Sequence, residues 1–479
     1  MQNKKQQFTY DLIWYLIGTG LPMMVLFIRS PIYTRIFSPE QYGLYSLIYI
    51  SFTYISAISY QSITNNAWRY YFKYKNSGKI SLYKTTIFAL YFFVLLVLAI
   101  SCSIWYYFTQ DENAKKLIVW GFIFALTNEI YNTFYVPIRL EGRAKFFNLL
   151  NTFRALFSFL ILLALTFVFN YSIEAFFISQ ICGNILFLLP VIFENLQNKI
   201  DYNFTGILKH ILRFIKYGSA NLLYNIGLFL LISSDRFIIA IVSNNEKVGI
   251  YNQTYNIGQI TIAALFATFN SVINPILLKK LTKNPNGSDE LLISLVAISF
   301  AIFFPIVILF SIFSKDIAFL LLGEKFREAW NILPYIFLSS FFFGIGFYSE
   351  VKLKFKNKLK TLMVVSLIAA SINIILNIVF IPIYGYKIAA MTTLFSYLIL
   401  TILLFQKAKI KIFKFIGSNL FIKSIAYLFL LLIIDFCLNH YINFKSFPIK
   451  ITLRIVFFIF VYIILIGKNY FNLFKRILQ

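Results

Sequence analysis

Charged residues are scarce in this sequence, and that scarcity excludes most soluble folds. Asp, Glu, Lys and Arg make up 13% of the 479 residues, whereas soluble domains average about 25%. Histidine is rarer still, and neither His210 nor His440 has a paired acidic or nucleophilic partner in the sequence. Cys102, Cys182 and Cys437 show no metal-binding spacing. The sequence also lacks the phosphate loop in which GxxxxGK precedes Ser or Thr, which excludes that route of nucleotide hydrolysis.

Long apolar blocks dominate the sequence instead. Hydrophobic residues make up 59% of the chain, and blocks such as 85–108 and 291–313 are long enough to cross roughly 30 Å of hydrocarbon as helices. The ten-residue alternation of a transmembrane barrel is missing. We therefore expect an all-α polytopic membrane protein with about 14 transmembrane helices. The predicted segments are 11–33, 43–66, 85–108, 117–138, 146–169, 172–193, 217–242, 248–276, 291–313, 330–350, 361–381, 387–405, 420–438 and 451–467.

Basic residues are distributed unequally between the two predicted sides of the membrane. With the N-terminus placed in the cytoplasm, the inner segments hold 29 Lys and Arg and the outer loops hold 10. This distribution follows the positive-inside rule and predicts that both termini are cytoplasmic. The formal net charge of +26 is explained in the same way, so no nucleic-acid partner is expected.

The two halves of the sequence resemble each other. The motif at 43–45 recurs at 249–251 with an offset of 206, and matching residues between 134 and 145 recur with an offset of 213. A spacing of six helices gives both copies the same orientation, as in parallel-repeat transporters. We predict two six-helix lobes around a central cavity, at 1–200 and 201–416, with two additional transmembrane helices at 417–479.

Three stretches resemble a known family. Residues 35–45, RIFSPEQYGLY, resemble the signature after the first helix of Wzx-type polysaccharide flippases, members of the multidrug/oligosaccharidyl-lipid/polysaccharide exporter (MOP) superfamily. Residues 234–240 and 381–390 look like the stretches at that family's seventh helix and its eleventh-to-twelfth connection. The resemblance implies a flippase for O-antigen or capsule repeat units. Such a protein carries undecaprenyl-pyrophosphate-linked oligosaccharides from the cytoplasmic to the periplasmic leaflet of a bacterial inner membrane by alternating access.

Arginines within the predicted helices are candidates for binding the pyrophosphate. Arg29 and Arg236 lie 14 and 13 residues before Gly43 and Gly249, at nearly equivalent positions of the repeat. Arg69 lies at the cytoplasmic end of the second predicted helix, where the family commonly places an arginine, although a positive-inside anchor is an equally good interpretation. The planar guanidinium suits phosphate because it donates hydrogen bonds in pairs.

Amide side chains are candidates for binding the glycan. Asn252, Asn256 and Gln259 share one face of the eighth predicted helix by their i, i+4, i+7 spacing. Gln61 and Asn65 lie in the second predicted helix. Hydrogen bonding between helices is an equally good interpretation of these amides.

Two carboxylates are candidates for ion coupling. Asp235 and Glu129 lie in or near the predicted helices and could bind H⁺ or Na⁺, although Asp235 could equally be the charge partner of Arg236. No metal or other cofactor is expected. The inside-negative membrane potential favours outward movement of negative charge by about 2.3 kcal/mol per charge per 100 mV, so coupling is not required by the energetics.

Other functions are weaker alternatives. A multidrug or cation antiporter of the same superfamily would require a carboxylate-lined cavity, and a membrane-embedded glycan polymerase would usually carry catalytic residues on a long outer loop. The longest predicted outer loop, 314–329, is short and contains no histidine. A flippase for lipid II or a teichoic-acid precursor is a closer rival. The expected partners are a lipid-linked oligosaccharide, membrane lipids, and polysaccharide polymerase and chain-length regulator proteins.

The predicted orientation can be tested with single cysteines in a variant lacking the three native ones. Ser288→Cys lies in a predicted inner loop and should react with a membrane-impermeant maleimide only after the membrane is opened. Ser243→Cys, in a predicted outer loop, serves as the control and should react in intact cells. Reaction of Ser288→Cys from outside alone would contradict the topology.

Overall fold

The computed structural model describes residues 20–22, 24–140, 143–196, 204–283 and 288–410, with the isolated positions 426 and 430. All regular secondary structure within these ranges is helical. The predicted segments at 420–438 and 451–467 lie outside the described residues, apart from those two positions.

The helices follow one another with short connections. They are α1 (24–36) and α2 (Pro39–Asn76), α3 (Ile80–Phe108), α4 (Glu112–Leu140), α5 (Ala144–Phe167), α6 (Ala175–Leu196), α7 (Phe204–Val242), α8 (Asn245–Gly258), α9 (Ala264–Lys283), α10 (Ser288–Ile312), α11 (Ser314–Leu321), α12 (Leu333–Phe355), α13 (Leu359–Tyr384) and α14 (Ala389–Ala408). One π-helical turn, Gln259–Ala263, joins α8 to α9, and 3₁₀ segments occupy Glu324–Ile332 and Tyr386–Ile388.

The predicted all-α membrane fold is confirmed. Seven helices of the described part are long and apolar enough to cross a membrane, while the total of about 14 spans stays a prediction. Hydropathy underestimates the length of the long helices. For example, α7 begins at Phe204 rather than at the predicted residue 217. The reason is that polar helix ends carry no apolar signal. The predicted outer loop 314–329 is itself largely helical, since it contains α11 and most of a 3₁₀ segment.

The chain divides into two compact units. The first comprises 1–253 and 322–326, and the second comprises 254–321 and 327–479. The lobe boundaries predicted from the sequence, 1–200, 201–416 and 417–479, stay a prediction.

An aromatic cluster around Phe176 joins three helices of the first unit. The buried Phe176 ring at the start of α6 lies 5.2 Å from the Tyr33 ring of α1. It lies 5.5 Å and 5.0 Å from the rings of Tyr42 and Tyr45 on α2. Such edge and tilted contacts between rings are favourable beyond the area they bury. The cluster therefore fixes the start of α6 against α1 and α2.

The N-termini of α2 and α8, also in the first unit, cross at two glycines. A methyl group on Gly43 would overlap the backbone carbonyl of Asn245, and one on Gly249 would overlap that of Pro39. The contact is reciprocal, because Pro39 and Asn245 are themselves 206 residues apart, as are the two glycines. A two-fold relation between two copies produces contacts of this kind.

A hydrogen bond continues this crossing one turn further along both helices. Asn252 Nδ2 donates to Ser46 Oγ over 2.8 Å, and both side chains are buried. These residues are again 206 positions apart. The repeat predicted from the sequence is thus expressed as direct contacts between matching residues.

Buried polar groups connect the helices of the second unit. Lys352 of α12 is almost fully buried, and its Nζ donates to Asp289 Oδ1 over 2.5 Å and to the Ala408 carbonyl over 2.6 Å. On α13, Asn377 Nδ2 donates to Asn373 Oδ1 over 3.0 Å. The Thr392 hydroxyl of α14 donates to the side-chain oxygen Oδ1 of Asn377. These contacts connect α10, α12, α13 and α14.

Alanine substitutions test the glycine crossing. Gly43→Ala and Gly249→Ala should each destabilise the protein, because the added methyl group meets backbone atoms that cannot rotate away. Overpacking of this kind costs about 1–3 kcal/mol, which would be measured as a lower melting temperature of the purified protein in detergent. Gly20→Ala is the matched control, since no heavy atom lies within 4 Å of its added methyl group. Equal melting temperatures for all three variants would contradict the close crossing.

Candidate functional site

A cavity of about 180 Å³ lies among α1, α5 and α6 of the first unit. No Asp or Glu lines it, and its polar lining residues are Arg29, Arg154, Ser158, Ser179, Gln180 and Asn184. The remaining lining residues have apolar side chains. The cavity is therefore cationic, and the rest of its wall is formed by neutral polar and apolar side chains.

Helical periodicity brings these side chains to one place. On α6, Gln180 and Asn184 follow Phe176 by one and two turns and therefore lie on the same face. On α5, Ser158 lies one turn after Arg154 in the same way. The aromatic cluster around Phe176 fixes the start of α6, so the amides of its next two turns face the cavity.

Arg29, predicted to bind pyrophosphate, lies in this cavity. Its guanidinium carbon is 5.1 Å from the centroid of the Phe176 ring, a cation–π contact. Within the residues that the structure describes, Arg29 forms no ion pair. Its charge is therefore not neutralised by a carboxylate of the first unit's described part.

Arg154 shares the cavity and was missed by the sequence prediction. One guanidinium nitrogen, Nη1, donates to Asn184 Oδ1 over 2.6 Å, and the guanidinium carbon lies 4.2 Å from the centroid of the Tyr131 ring. The Nε atom is buried and has no hydrogen-bond partner among the described residues. A signal was present in the sequence, since Arg154 is the one charged residue of the predicted segment 146–169.

Arg236 has a different environment from its repeat equivalent Arg29. Arg236 is buried, and its Nη1 forms an ion pair with Asp235 Oδ1 over 2.7 Å. The same nitrogen donates to the Ile232 carbonyl, and Nε donates to Asn252 Oδ1 over 3.3 Å. The sequence predicted one role for the two arginines, but only Arg29 lies in the cavity. Pyrophosphate binding by Arg236 stays a prediction.

The two predicted coupling carboxylates are both buried. Asp235 already has partners on both oxygens, since Oδ1 faces Arg236 and Oδ2 accepts a 2.6 Å hydrogen bond from the Tyr251 hydroxyl. Glu129 of α4 is 9% exposed, and no ion pair to it is found in the described part of the chain. Ion coupling by either residue stays a prediction.

The predicted glycan-binding amides lie in different surroundings. Asn252 is occupied by Ser46 and Arg236, which agrees with the helix–helix interpretation. Asn256 is half-buried on α8, and Gln259 is half-buried at the start of the π-helical turn. Gln61, Asn65 and Arg69 lie on α2, but their side chains are outside the described residues, so their roles stay predictions.

Metal binding finds no support in the described ranges. Within them, no group of three or more His, Cys, Asp and Glu residues could hold a metal ion.

The fold resembles those of solved membrane transporters. The lipid II flippase MurJ in its inward closed conformation matches with a TM-score of 0.72 and 17% identity, over 96% of this chain and all of that one. A mutant of the MATE transporter VcmN from Vibrio cholerae matches with a TM-score of 0.61 and 14% identity, over 87% of this chain and 98% of that one. A MOP superfamily transporter from Pyrococcus furiosus, described with a binding pocket of reverse polarity, matches with a TM-score of 0.57 and 14% identity, over 86% and 97%. At these identities the likeness shows the fold alone, a fold that this chain shares with solved multi-pass membrane transporters.

A family model identifies the family of the chain, which the likeness of folds does not. The model described as "Polysaccharide biosynthesis protein" matches residues 32–331, more than half of the sequence. The chain belongs to this family. A search among curated proteins gives no match. The predicted resemblance to a polysaccharide-related family is therefore confirmed by the family model, and the predicted fold by the solved structures.

Charge removal tests the buried pair in α7. Asp235→Asn and Arg236→Gln should each lower the melting temperature strongly, because a buried charge left without its partner costs about 3–5 kcal/mol. The double variant should lose less than the sum of the single variants, since neither charge is then left unpaired. Glu112→Gln breaks the exposed 2.7 Å pair with Lys115 and should have no measurable effect. Additive losses in the double variant would show that the two side chains act independently.

Proposed function

We propose that this multi-pass membrane protein flips undecaprenyl-pyrophosphate-linked oligosaccharide repeat units from the cytoplasmic to the periplasmic leaflet of a bacterial inner membrane. It would act by alternating access, with both termini in the cytoplasm, and would function as a transporter rather than an enzyme. The observation that carries the proposal is the cationic cavity of the first unit, in a chain that belongs to a polysaccharide biosynthesis family.

The charge of the substrate explains why such a cavity is needed. A pyrophosphate carries about two negative charges at neutral pH, and each uncompensated charge in hydrocarbon costs several kcal/mol. The polyprenyl tail has no such cost and can stay in the bilayer. Arg29 and Arg154 together offer two positive charges, which would compensate those of the pyrophosphate.

The cavity lining also favours this substrate over a cationic drug. A cation would meet two arginines and, within the described lining, no carboxylate. Like charges brought together in a low-dielectric site repel strongly. A multidrug antiporter is therefore the weaker alternative, although the MATE transporters share the fold.

A flippase for lipid II or a teichoic-acid precursor is the second candidate. The likeness to the lipid II flippase MurJ, with a TM-score of 0.72, favours it. Its substrate would present the same lipid-linked phosphate chemistry to the cavity. The family match to polysaccharide biosynthesis favours the repeat-unit substrate.

Energy and partners follow from the proposed reaction. The membrane potential alone favours outward movement of an anion by about 2.3 kcal/mol per charge per 100 mV, so H⁺ or Na⁺ coupling would add to the driving force rather than create it. Polysaccharide polymerase and chain-length regulator proteins would receive the flipped units on the outer side.

Gene deletion in the native host tests the proposed function. Deletion should abolish surface polysaccharide and cause complete lipid-linked units to accumulate on the cytoplasmic side. Both would be measured by extraction of surface glycan and lipid-linked oligosaccharides. The wild-type gene should restore export, whereas Arg29→Ala should restore less than a tenth of it, because a lost charge-assisted contact costs about 1.5–3 kcal/mol.

The matched control is Arg35→Ala, which removes an exposed arginine farther along the same helix. This variant should restore export at equal expression. Normal surface glycan with altered drug accumulation after deletion would move the protein to the multidrug class. Loss of peptidoglycan precursor export with normal surface glycan would favour the lipid II candidate.

A further inference from the structure

Two amide side chains of α9, in the second unit, have acceptor atoms without partners. The Oδ1 atoms of Asn270 and Asn274 are both buried, and neither accepts a hydrogen bond within the residues that the structure describes. Asn270 as a whole is 8% exposed, and Asn274 is half-buried. Buried polar atoms of folded proteins nearly always have a partner. Departures from such rules are expected at functional sites, where another gain offsets their cost.

The two amides share one face of α9. They are four residues apart in the helix Ala264–Lys283, so their Cβ atoms lie about 6 Å from each other. Both follow the π-helical turn Gln259–Ala263, and such turns are frequent at functional sites. The two oxygens therefore form one pair of neighbouring acceptors rather than two unrelated unsatisfied groups.

Aromatic packing holds this part of α9 in place. The Phe266 ring, one turn before Asn270, lies 4.2 Å from the Phe303 ring of α10. The same ring occupies the space that a side chain at Gly344 of α12 would need. The half-buried Phe269 ring, next to Asn270 in the chain, lies 5.5 Å from Phe303. These contacts fix α9 against α10 and α12, so the two amides are positioned before any ligand binds.

The chemistry of the pair favours a neutral hydrogen-bond donor. Amides in membrane helices commonly bond to a neighbouring helix, but within the described part of the chain no helix donates to either Oδ1. An amide oxygen accepts hydrogen bonds and does not donate them, so the acceptor oxygens of an ionised phosphate would not satisfy it. Hydroxyl groups are neutral donors, and a glycan carries several of them.

The predicted orientation places the pair on the side from which substrate enters. Asn270 and Asn274 lie in the last two turns of the predicted segment 248–276, whose end faces the cytoplasm. The proposed substrate presents its glycan on that side before it is flipped. Sugar hydroxyls would therefore be at the right end of α9 to meet the two amides.

We infer that Asn270 and Asn274 form a hydroxyl-binding subsite that contacts the glycan of the lipid-linked oligosaccharide and contributes to the choice of sugar. The inference rests on the proposed function. It adds a recognition site in the second unit, at residues other than the amides that the sequence predicted to bind the glycan.

Apolar replacement of each amide tests the inference through two readouts of opposite sign. Asn270→Leu and Asn274→Leu should melt at the wild-type temperature or above it, because each removes a buried acceptor that has no partner. The same variants should bind lipid-linked oligosaccharide about 2- to 10-fold more weakly, the effect of one neutral hydrogen bond. A glycan-free polyprenyl pyrophosphate should bind to them as it does to the wild type.

The measurement uses the full-length protein in nanodiscs of phosphatidylcholine. One probe is the lipid-linked oligosaccharide fraction extracted from the native host, the other is the glycan-free polyprenyl pyrophosphate, and bound lipid is quantified by mass spectrometry. Asn270→Ala and Asn274→Ala keep the test valid where leucine does not fit.

Asn377→Leu is the matched control in the same unit. This buried amide is satisfied, because it donates to Asn373 and accepts from Thr392. Its replacement should lower the melting temperature, since two partners each lose a hydrogen bond. It should not change the ratio of the affinities for the two probes.

Three outcomes would overturn the inference. Wild-type affinity for the oligosaccharide fraction in both α9 variants would show that the amides do not contact the glycan. Equal weakening of both probes would show that the amides do not distinguish the sugar. A rise in the wild-type melting temperature with Na⁺, lost in both variants, would assign the two oxygens to a cation. Conversely, selective loss of oligosaccharide binding in the variants, without any glycan phenotype after gene deletion, would refute the proposed function and leave the hydroxyl-binding subsite standing.

Discussion

The close crossing of α2 and α8 at Gly43 and Gly249 is the constraint on which much of the first unit depends. Backbone atoms of one helix occupy the space that a side chain would need on the other. This short separation brings Asn252 within hydrogen-bond distance of Ser46. Asn252 in turn accepts a hydrogen bond from Arg236. The position of the buried ion pair between Asp235 and Arg236 therefore depends on the two glycines, Gly43 and Gly249.

Three arginines of this unit have two kinds of electrostatic environment: Arg236 is buried, whereas Arg29 and Arg154 are half-buried. Arg236 is neutralised by its neighbour Asp235, and both are further fixed by hydrogen bonds, so this charge is satisfied by the protein itself. Arg29 and Arg154 are stabilised only by rings and an amide within the described part, so their charges stay available to an anion. The difference lies in what surrounds each arginine and cannot be read from the residue type.

The sequence predicts the helices well but does not show which arginines share a cavity. Apolar blocks mark the membrane helices directly, because a chain in hydrocarbon must satisfy its backbone internally. The repeat directed attention to Arg29, which lines the cavity, and suggested an equal role for Arg236, which does not line it and whose partner Asp235 was recognised as an alternative. Arg154 was missed because its significance depends on Tyr131 and Asn184, which lie 23 and 30 residues away in the sequence and meet it only in the folded lobe.

The π-helical turn at Gln259–Ala263 changes the direction in which the side chains after it face. A π turn holds one residue more than an α turn, and such turns are often found at functional sites. One added residue rotates everything after it by about 100° around the helix axis. The first copy of the repeat has no such turn in α2. One additional residue in the second copy is enough to explain this difference, and the side chains beyond the turn face about 100° away from where an uninterrupted α-helix would place them.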